Sequence, residues 1–202
     1  MELLTYNKDI LKNFLKKKGA KGWISHAGES AYKKLQFDMI MKLICQYLPP
    51  EDSLILDVGF DPGNFSLKIA QNNRRLVIGD ISEDQLQLTR EKFENYGVLN
   101  NIDQFALLED IGNLEMFDDN TFDLVISLSG TISYACEQKQ KLLKELTRVA
   151  KIGSPIILSA KTKAQYFRDI LRKAKIELLE DATKAGLWQM IDTNYKQFEE
   201  YP

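Results

Sequence analysis

From residue 51 onward, hydrophobic positions alternate between short continuous apolar runs and longer stretches with helical spacing. The runs predict buried parallel strands, and the stretches between them predict helices. The predicted strands cover 54–58, 76–78, 105–108, 124–128 and 156–159, and the predicted helices begin near 65 and cover 83–96 and 137–150. This repeated strand–helix–strand order predicts right-handed crossovers and an α/β fold built on a doubly wound parallel sheet with helices on both faces.

Residues 1–50 carry a different pattern, in which apolar side chains keep helical spacing without any strand-like run. Residues 3–18 predict an amphipathic helix, and a second helix from about residue 30 ends before Pro49 and Pro50. The apolar face of the second helix is predicted to consist of Leu35, Phe37, Met39, Ile40, Leu43, Ile44 and Leu48. The chain therefore divides into an N-terminal helical segment (1–50), an α/β core (51–163) and a mostly helical C-terminal segment (164–202).

Composition adds limits to this picture. The 202 residues include 27 basic and 29 acidic side chains, so the chain lacks the basic excess that is typical of duplex nucleic-acid binders. Cys45 and Cys136 are far apart, and no metal-ligand spacing surrounds them, so we predict two buried thiols in a reducing compartment and no metal site. No secretory signal or membrane-spanning run is visible, which predicts a cytoplasmic protein.

The segment after the first predicted strand is a candidate ligand-binding turn. It reads Asp57-Val58-Gly59-Phe60-Asp61-Pro62-Gly63-Asn64 and leads into a helix. Ligands of doubly wound sheets bind outside the carboxyl ends of the strands, and Gly59 and Gly63 permit a tight turn and close approach to the backbone. A tight turn without a ligand is the alternative interpretation.

Acidic residues follow the next two predicted strands. Asp80 lies about twenty residues beyond Gly59, where a carboxylate can accept hydrogen bonds from the hydroxyls of a ribose. The alternative is a helix N-cap, a role that Ser82 can fill while Asp80 faces the ligand. Asp110 follows the third strand and can accept from an exocyclic amine, or it belongs to a solvated acidic loop.

These segments, in this order, resemble the class I S-adenosylmethionine-dependent methyltransferase family. The segment 55–63 is similar to the family's first glycine motif, and 77–82 is similar to its second-strand acidic motif. The segment 120–127 resembles its fourth strand, and 142–153 resembles the helix and turn before its fifth strand. The resemblance covers about residues 30–163 and implies a Rossmann-like fold that binds S-adenosyl-L-methionine and releases S-adenosyl-L-homocysteine.

The resemblance also implies roles for individual residues. The methionine end of the cofactor would lie at the turn formed by Asp57, Gly59, Phe60, Asp61 and Gly63. Asp80 would hold the ribose, Ile81 would pack on the adenine, and Asp110 would accept from the adenine amine beside Ile111. Ser127 and Leu128, at the end of the fourth strand, would lie beside the sulfonium and the incoming substrate.

The sequence departs from the family pattern at two places. Asp61 stands where glycine is common, so its side chain would crowd the cofactor or attract its ammonium and sulfonium charges. The antiparallel pair of strands that usually follows the fifth strand is not visible in 164–202. Because an uncovered edge strand is a pairing hazard, we expect one of two explanations: the sequence is a truncated form of a longer chain, or a homodimer or another partner covers this edge.

The resemblance gives residues 1–50 the role of a lid over the cofactor, as in branches of the family that methylate small molecules, and so implies a small-molecule acceptor. His26 is a candidate general base, with Trp23 and Tyr32 as candidate substrate contacts, although a histidine on the surface or in the core is the simpler interpretation. Two other functions remain open. A nicotinamide-dinucleotide oxidoreductase would need Gly-x-Gly-x-x-Gly, of which only Gly59 fits, and a non-catalytic relative would bind the cofactor or a protein partner without turnover.

Overall fold

A computed structural model of the chain describes residues 7, 9, 31–59 and 63–162. Its centre is a parallel sheet of five strands in the order β3-β2-β1-β4-β5. The strands are β1 (Leu54–Val58), β2 (Arg75–Asp80), β3 (Ile102–Leu107), β4 (Leu124–Ser127) and β5 (Ile156–Leu158). The predicted doubly wound parallel sheet is therefore confirmed.

Helices connect the strands and precede the sheet. They are α1 (Ala31–Gln46), α2 (Asn64–Ala70), α3 (Glu83–Asn95), α4 (Thr131–Tyr134) and α5 (Lys139–Val149), with 3₁₀ turns at Leu99–Asn101 and Cys136–Gln138. The largest error in the predicted strand bounds lies in β3, which begins three residues earlier than predicted, at Ile102. Its polar Asp103 and Gln104 are exposed, because β3 is an edge strand, and Asp103 forms an ion pair with Arg75 of β2.

Alternate residues of the strands enter two separate hydrophobic clusters, one on each face of the sheet. On one face, Leu56, Val77 and Val125 pack with buried side chains of α5 such as Leu142 and Leu146. On the other face lie Ile44 of α1, Ile55, Phe65, Ile69, Leu76, Ile78, Phe93, Leu124 and Ile126. Because both faces of the central strands are covered, these strands are apolar at nearly every position.

The predicted apolar face of α1 is wrong for three residues. Leu35, Met39 and Leu43 are exposed, whereas Ile44 is fully buried. The helix reaches the core through Ile44, Phe37, Ile40 and Met41, and Leu48 packs on the same cluster just after the helix ends. The rings of Phe37 and Phe65 stack with centroids 4.8 Å apart. The sequence places apolar residues on two sides of this helix, and packing against α2 buries only one of them.

The cysteine prediction is also wrong in part. Cys45 is exposed on α1, and Cys136 is half-buried after α4. Cys45 directly follows the buried Ile44, and adjacent positions of a helix point in different directions, so the two side chains cannot share one face. Periodicity alone did not say which of the two sides of α1 meets the core.

The long connection between β3 and β4 is fixed by Arg148 of α5. Its guanidinium donates to the carbonyl oxygens of Leu114 and Phe117, both at 2.9 Å, and to the Asp119 carboxylate at 2.7 Å. It also donates to both carboxylate oxygens of Glu145, at 2.9 and 2.8 Å. Glu145 in turn accepts from the Leu114 amide at 3.1 Å, so the pair satisfies backbone groups of a loop that lacks regular structure.

The hydrogen bonds of this network shift the pKa values of both Arg148 and Glu145. The bond between them, followed by the one to Asp119, raises the pKa of Arg148 above its ordinary value. The same bond lowers the pKa of Glu145, and the Leu114 amide adds to this effect against the opposing effect of burial. Glu145 therefore stabilises the fold in its ionised form.

Several sequence predictions lie outside the described residues. They concern the helix at 3–18 and the C-terminal segment from 164, including the absence of a further pair of strands. Among the described residues, no helix is long and apolar enough to cross a membrane.

We predict that the stabilising effect of Glu145 depends on pH. Because its folded pKa lies below the ordinary value of 4.5, its contribution is fully present above that pH and is lost as pH falls through the folded pKa. In urea unfolding between neutral pH and pH about 3, Glu145→Gln should lower the free energy of unfolding most at neutral pH. The difference from wild type should shrink below pH about 4.5.

The same pair of measurements in an Arg148→Met background is the control. Without the guanidinium, the effect of Glu145→Gln should vary less with pH, because the largest cause of the lowered pKa is gone. Arg148→Met itself should cost about 2–3 kcal/mol, since it leaves backbone carbonyls without their charged donor. A pH dependence of Glu145→Gln that is equal in both backgrounds would contradict this account.

Candidate functional site

The carboxyl ends of the parallel strands form one edge of the sheet, and the candidate site lies there. From β1 the chain winds towards β2 and β3, and after β3 it crosses to β4 and β5 on the other side. The strand order therefore reverses between β1 and β4, which pair directly, with Asp57 opposite Ile126. Sheets of this kind leave a crevice at that point, because consecutive connections leave in opposite directions.

Asp57 is buried at the carboxyl end of β1, one residue before the strand ends, with only 6% of its surface exposed. Its carboxylate accepts a hydrogen bond from the hydroxyl of Ser66, which lies in the first turn of α2. The N-terminal end of a helix favours a negative charge, so α2 and Ser66 together keep this carboxylate in place. Ser66 had no assigned role in the sequence-based prediction.

The glycine turn after β1 is packed against the connection that follows β4. The Gly59 amide donates to the Gly79 carbonyl at 3.0 Å, and its φ of +133° is one that L side chains rarely adopt. A Cβ atom at Gly59 would lie 1.9 Å from Oγ1 of Thr131, the first residue of α4. Thr131 was not predicted as a site residue, and the only sequence signal for it is the Ser129-Gly130 turn directly before it.

Position 63 requires glycine for a different structural reason. Its φ is +68°, and an added Cβ would lie 2.7 Å from Thr89 and 2.8 Å from Phe93, both on α3. Glycine is needed here because the start of α2 packs closely on α3. Phe60 and Asp61, which were also predicted to line this turn, lie outside the described residues.

Asp80 ends β2 and is 3% exposed. Its Oδ1 accepts from the Ser82 amide at 2.8 Å, while the Ser82 hydroxyl accepts from the Gln85 amide and caps α3. The expectation that Ser82 serves as the cap is confirmed, and the cap does not require Asp80. Ile81 is buried in the cluster on the α5 face of the sheet.

Asp110 lies in the turn after β3 and is held by two neighbours. Its Oδ1 accepts from the Gly112 amide at 2.9 Å, and its Oδ2 accepts from Nε2 of Gln138 at 3.0 Å. Ile111 is buried next to this turn. Gln138 was missed by sequence reasoning, because it is 28 residues from Asp110 and belongs to a 3₁₀ turn without a motif.

The end of β4 supplies two further buried positions. Ser127 is fully buried, and no described residue forms a hydrogen bond with its Oγ atom. Leu128 is 3% exposed and belongs to the cluster on the opposite face from Ile81. A buried hydroxyl without a protein partner is uncommon, and it occurs here at the strand end where the predicted ligand would lie.

The other residues predicted to act on the substrate precede β1 in the chain. Trp23 and His26 lie outside the described residues, and Tyr32 lies in the first turn of α1 with 41% of its surface exposed. Of the described residues, none belongs to a group of three or more His, Cys, Asp or Glu side chains that could hold a metal ion. Burial, with a smaller effect of Glu137, raises the pKa of the Cys136 thiol, which disfavours a reactive thiolate.

Comparisons with known proteins agree with this geometry. Residues 55–153 match a family model described as a methyltransferase domain. A ubiquinone/menaquinone biosynthesis C-methyltransferase of Pseudoalteromonas translucida is 30% identical over 125 residues. The match covers 59% of this chain and 46% of the relative, so the chain spans less than half of that relative's length.

Solved structures share the fold. A methyltransferase from Aquifex aeolicus, described as S-adenosylmethionine-dependent, matches with a TM-score of 0.51 and 22% identity, over 60% of this chain and 63% of that one. The cyclase SpnF matches with a TM-score of 0.52 and 19% identity, over 61% of this chain and 44% of that one. Together, the family model and the strand order show that residues 55–153 form a methyltransferase domain with the Rossmann-like fold of the class I S-adenosylmethionine-dependent family.

Proposed function

We propose that this protein binds S-adenosyl-L-methionine in the crevice between β1 and β4 and transfers its methyl group to a small-molecule acceptor in the cytoplasm. The observation that carries the proposal is the pair of buried carboxylates, Asp57 and Asp80, at the carboxyl ends of two adjacent strands. Few structural needs explain two buried acids at one sheet edge, whereas a cofactor with an ammonium group and a ribose would use both.

The ribose fits the end of β2. A carboxylate offers about four acceptor positions, so Asp80 can keep the bond from Ser82 and still accept from both hydroxyls of a ribose. Burial strengthens such bonds, because water competes less in a region of low dielectric constant. Asp80 would therefore fix the position of the cofactor's centre.

The amino-acid part of the cofactor fits the end of β1. Asp57, held by Ser66, would pair with the ammonium group, and Gly59 lets the neighbouring turn pack directly on Thr131. Ser127 Oγ, buried at the neighbouring end of β4, would supply a hydroxyl next to the reacting group. Phe60 and Asp61 would complete this turn.

The adenine would lie at the turns after β2 and β3, where the apolar side chains are covered in this structure. Asp110 can accept from the exocyclic amine while it keeps its bonds to Gly112 and Gln138. Ile81 and Ile111 are each 1% exposed, so their contact with the ring would follow a small opening of these two turns. The base would then lie between apolar side chains with its amine directed at Asp110.

Holding the acceptor in position is the main task of the protein in this reaction. Bound S-adenosylmethionine supplies a methyl group that its sulfonium already activates, so an acceptor held in line and close to it needs little further help. Leu128 follows β4, and its carbonyl accepts a hydrogen bond from the Thr131 hydroxyl of α4 at 2.8 Å. We propose that these two residues form the wall against which the acceptor lies. His26, Trp23 and Tyr32 stay candidates for the base and the lid.

A small molecule is the acceptor class that the comparisons support. The relative from Pseudoalteromonas translucida is named for C-methylation in quinone biosynthesis, and the chain carries no basic excess for nucleic acid. A homodimer or another partner would cover β5, which is an edge strand of the described sheet.

We predict that S-adenosylmethionine binds the purified protein saturably and that Asp80→Asn weakens this binding at least about tenfold. The amide keeps the size of the side chain but loses the charge and part of the acceptor capacity, a loss of roughly 1.5–3 kcal/mol. Isothermal calorimetry measures both proteins. Asp84→Asn is the matched control, since Asp84 is exposed on α3 and should bind like wild type.

Three results would alter the proposal. Equal affinity of wild type and Asp80→Asn would remove Asp80 from the site. Binding of NAD in place of S-adenosylmethionine would favour the oxidoreductase alternative. Saturable binding of S-adenosylmethionine without turnover on any acceptor would favour the non-catalytic alternative.

We predict that Gly59→Ala destabilises the fold and disrupts the site together. The new Cβ would overlap Oγ1 of Thr131, and overpacking and backbone strain together should cost about 3 kcal/mol or more. Gly97→Ala is the matched control, because Gly97 also has positive φ, at +68°, but nothing lies within 4 Å of its added Cβ.

The control substitution should cost only roughly 1–2 kcal/mol from backbone strain. Urea unfolding measures both variants. Equal losses at the two positions would show that the contact with Thr131 does not constrain the turn.

A further inference from the structure

Lys161 follows β5 and folds back onto the connection between β4 and α4. Its backbone amide donates to the Ser133 hydroxyl at 2.9 Å. Its ammonium group lies 4.2 Å from the centroid of the Tyr134 ring and donates a hydrogen bond to the Tyr134 hydroxyl. Both the backbone amide and the ammonium group of Lys161 are thus held in place, although lysine is usually a mobile surface residue.

This lysine belongs to the same sheet edge as the proposed cofactor site. The Gly130 amide donates to the Ser159 hydroxyl at 3.1 Å, and a Cβ at Gly130 would lie 2.9 Å from Cγ of Lys161. The next residue, Thr131, packs on the glycine turn after β1. Tyr134 lies three residues further along α4, so the ammonium is about one helical turn from the wall of the crevice.

The charge of Lys161 is unusual for its surroundings. The side chain is half-buried, and no carboxylate of a described residue forms an ion pair with it. The acidic residues of the edge have other partners, since Asp57 binds Ser66 and Asp110 binds Gly112 and Gln138. A partly buried cation whose side-chain partner is a neutral phenol is electrostatically incomplete, and an anion would complement it.

We propose that Lys161, positioned by Tyr134, is an oxyanion subsite for the methyl acceptor. The acceptor would then carry a carboxylate or an ionised hydroxyl group. This inference rests on the proposed function, because only that function identifies the bound anion as the methyl acceptor. The subsite itself rests on the contacts of Lys161. Binding the anion here would hold the acceptor beside the wall formed by Leu128 and Thr131, where the methyl group would arrive.

The test uses simple probes with the full chain. Benzoate supplies a carboxylate, 4-nitrophenol at mildly alkaline pH supplies an ionised hydroxyl, and benzamide is the neutral counterpart of benzoate. Each is titrated by calorimetry in the presence and absence of S-adenosylhomocysteine. We expect at least one of the two anions to bind saturably and benzamide to bind at least about tenfold more weakly.

Variants assign the binding to one side chain. Lys161→Met keeps the apolar stem without the charge and should weaken anion binding at least about tenfold, while Lys161→Arg keeps the charge and should retain most of it. Lys144→Met is the matched control, because it removes the same charge from an exposed position on α5 and should leave anion binding unchanged. Binding of benzoate alone assigns the subsite to carboxylates, and binding of 4-nitrophenolate alone assigns it to ionised hydroxyls.

The outcomes separate this inference from the proposed function. No binding of either anion, equal binding of benzamide, or equal losses in Lys161→Met and Lys144→Met would each overturn the subsite. Failure of S-adenosylhomocysteine to bind would instead refute the cofactor site, while the dependence of anion binding on Lys161 would still be measured. The Lys161 variants should bind S-adenosylhomocysteine like wild type, which also confirms that they are folded.

Discussion

The rest of the structure depends on the pairing of β1 with both β2 and β4. Leu54–Val58 is hydrogen-bonded on both sides and buried on both faces, so every element is placed relative to this strand. Because all neighbours are parallel, their carboxyl ends meet at one edge. Asp57, Asp80 and Ser127 reach that edge through strand order alone, although they are far apart in the sequence.

Irregular connections of the sheet are held by single basic side chains. Arg148 satisfies carbonyl groups of the long β3–β4 connection, and Lys161 fastens the segment after β5 to the last two residues of α4. The two differ in charge balance, since Arg148 has carboxylate partners and Lys161 has none among the described residues. This difference separates a structural contact from a candidate binding group.

The fold alone does not decide the reaction. A cyclase shares this architecture with a TM-score close to that of a methyltransferase, so chemistry has to be argued from individual residues at the edge. The buried carboxylates carry the case for the cofactor, and the surroundings of Lys161 carry the case for the acceptor. The two candidate sites use different side chains and can be tested separately.

The sequence by itself determined the parallel sheet and the methyltransferase domain, because apolar runs, glycine turns and acidic strand ends are local signals. It predicted β1 without error and placed Ser82 as a helix cap. Tertiary structure decided which side of α1 is buried, why Gly63 is glycine, and which partners Asp57, Asp110 and Lys161 have. Those features depend on contacts between residues distant in sequence, where no periodicity or spacing records which side chains will meet.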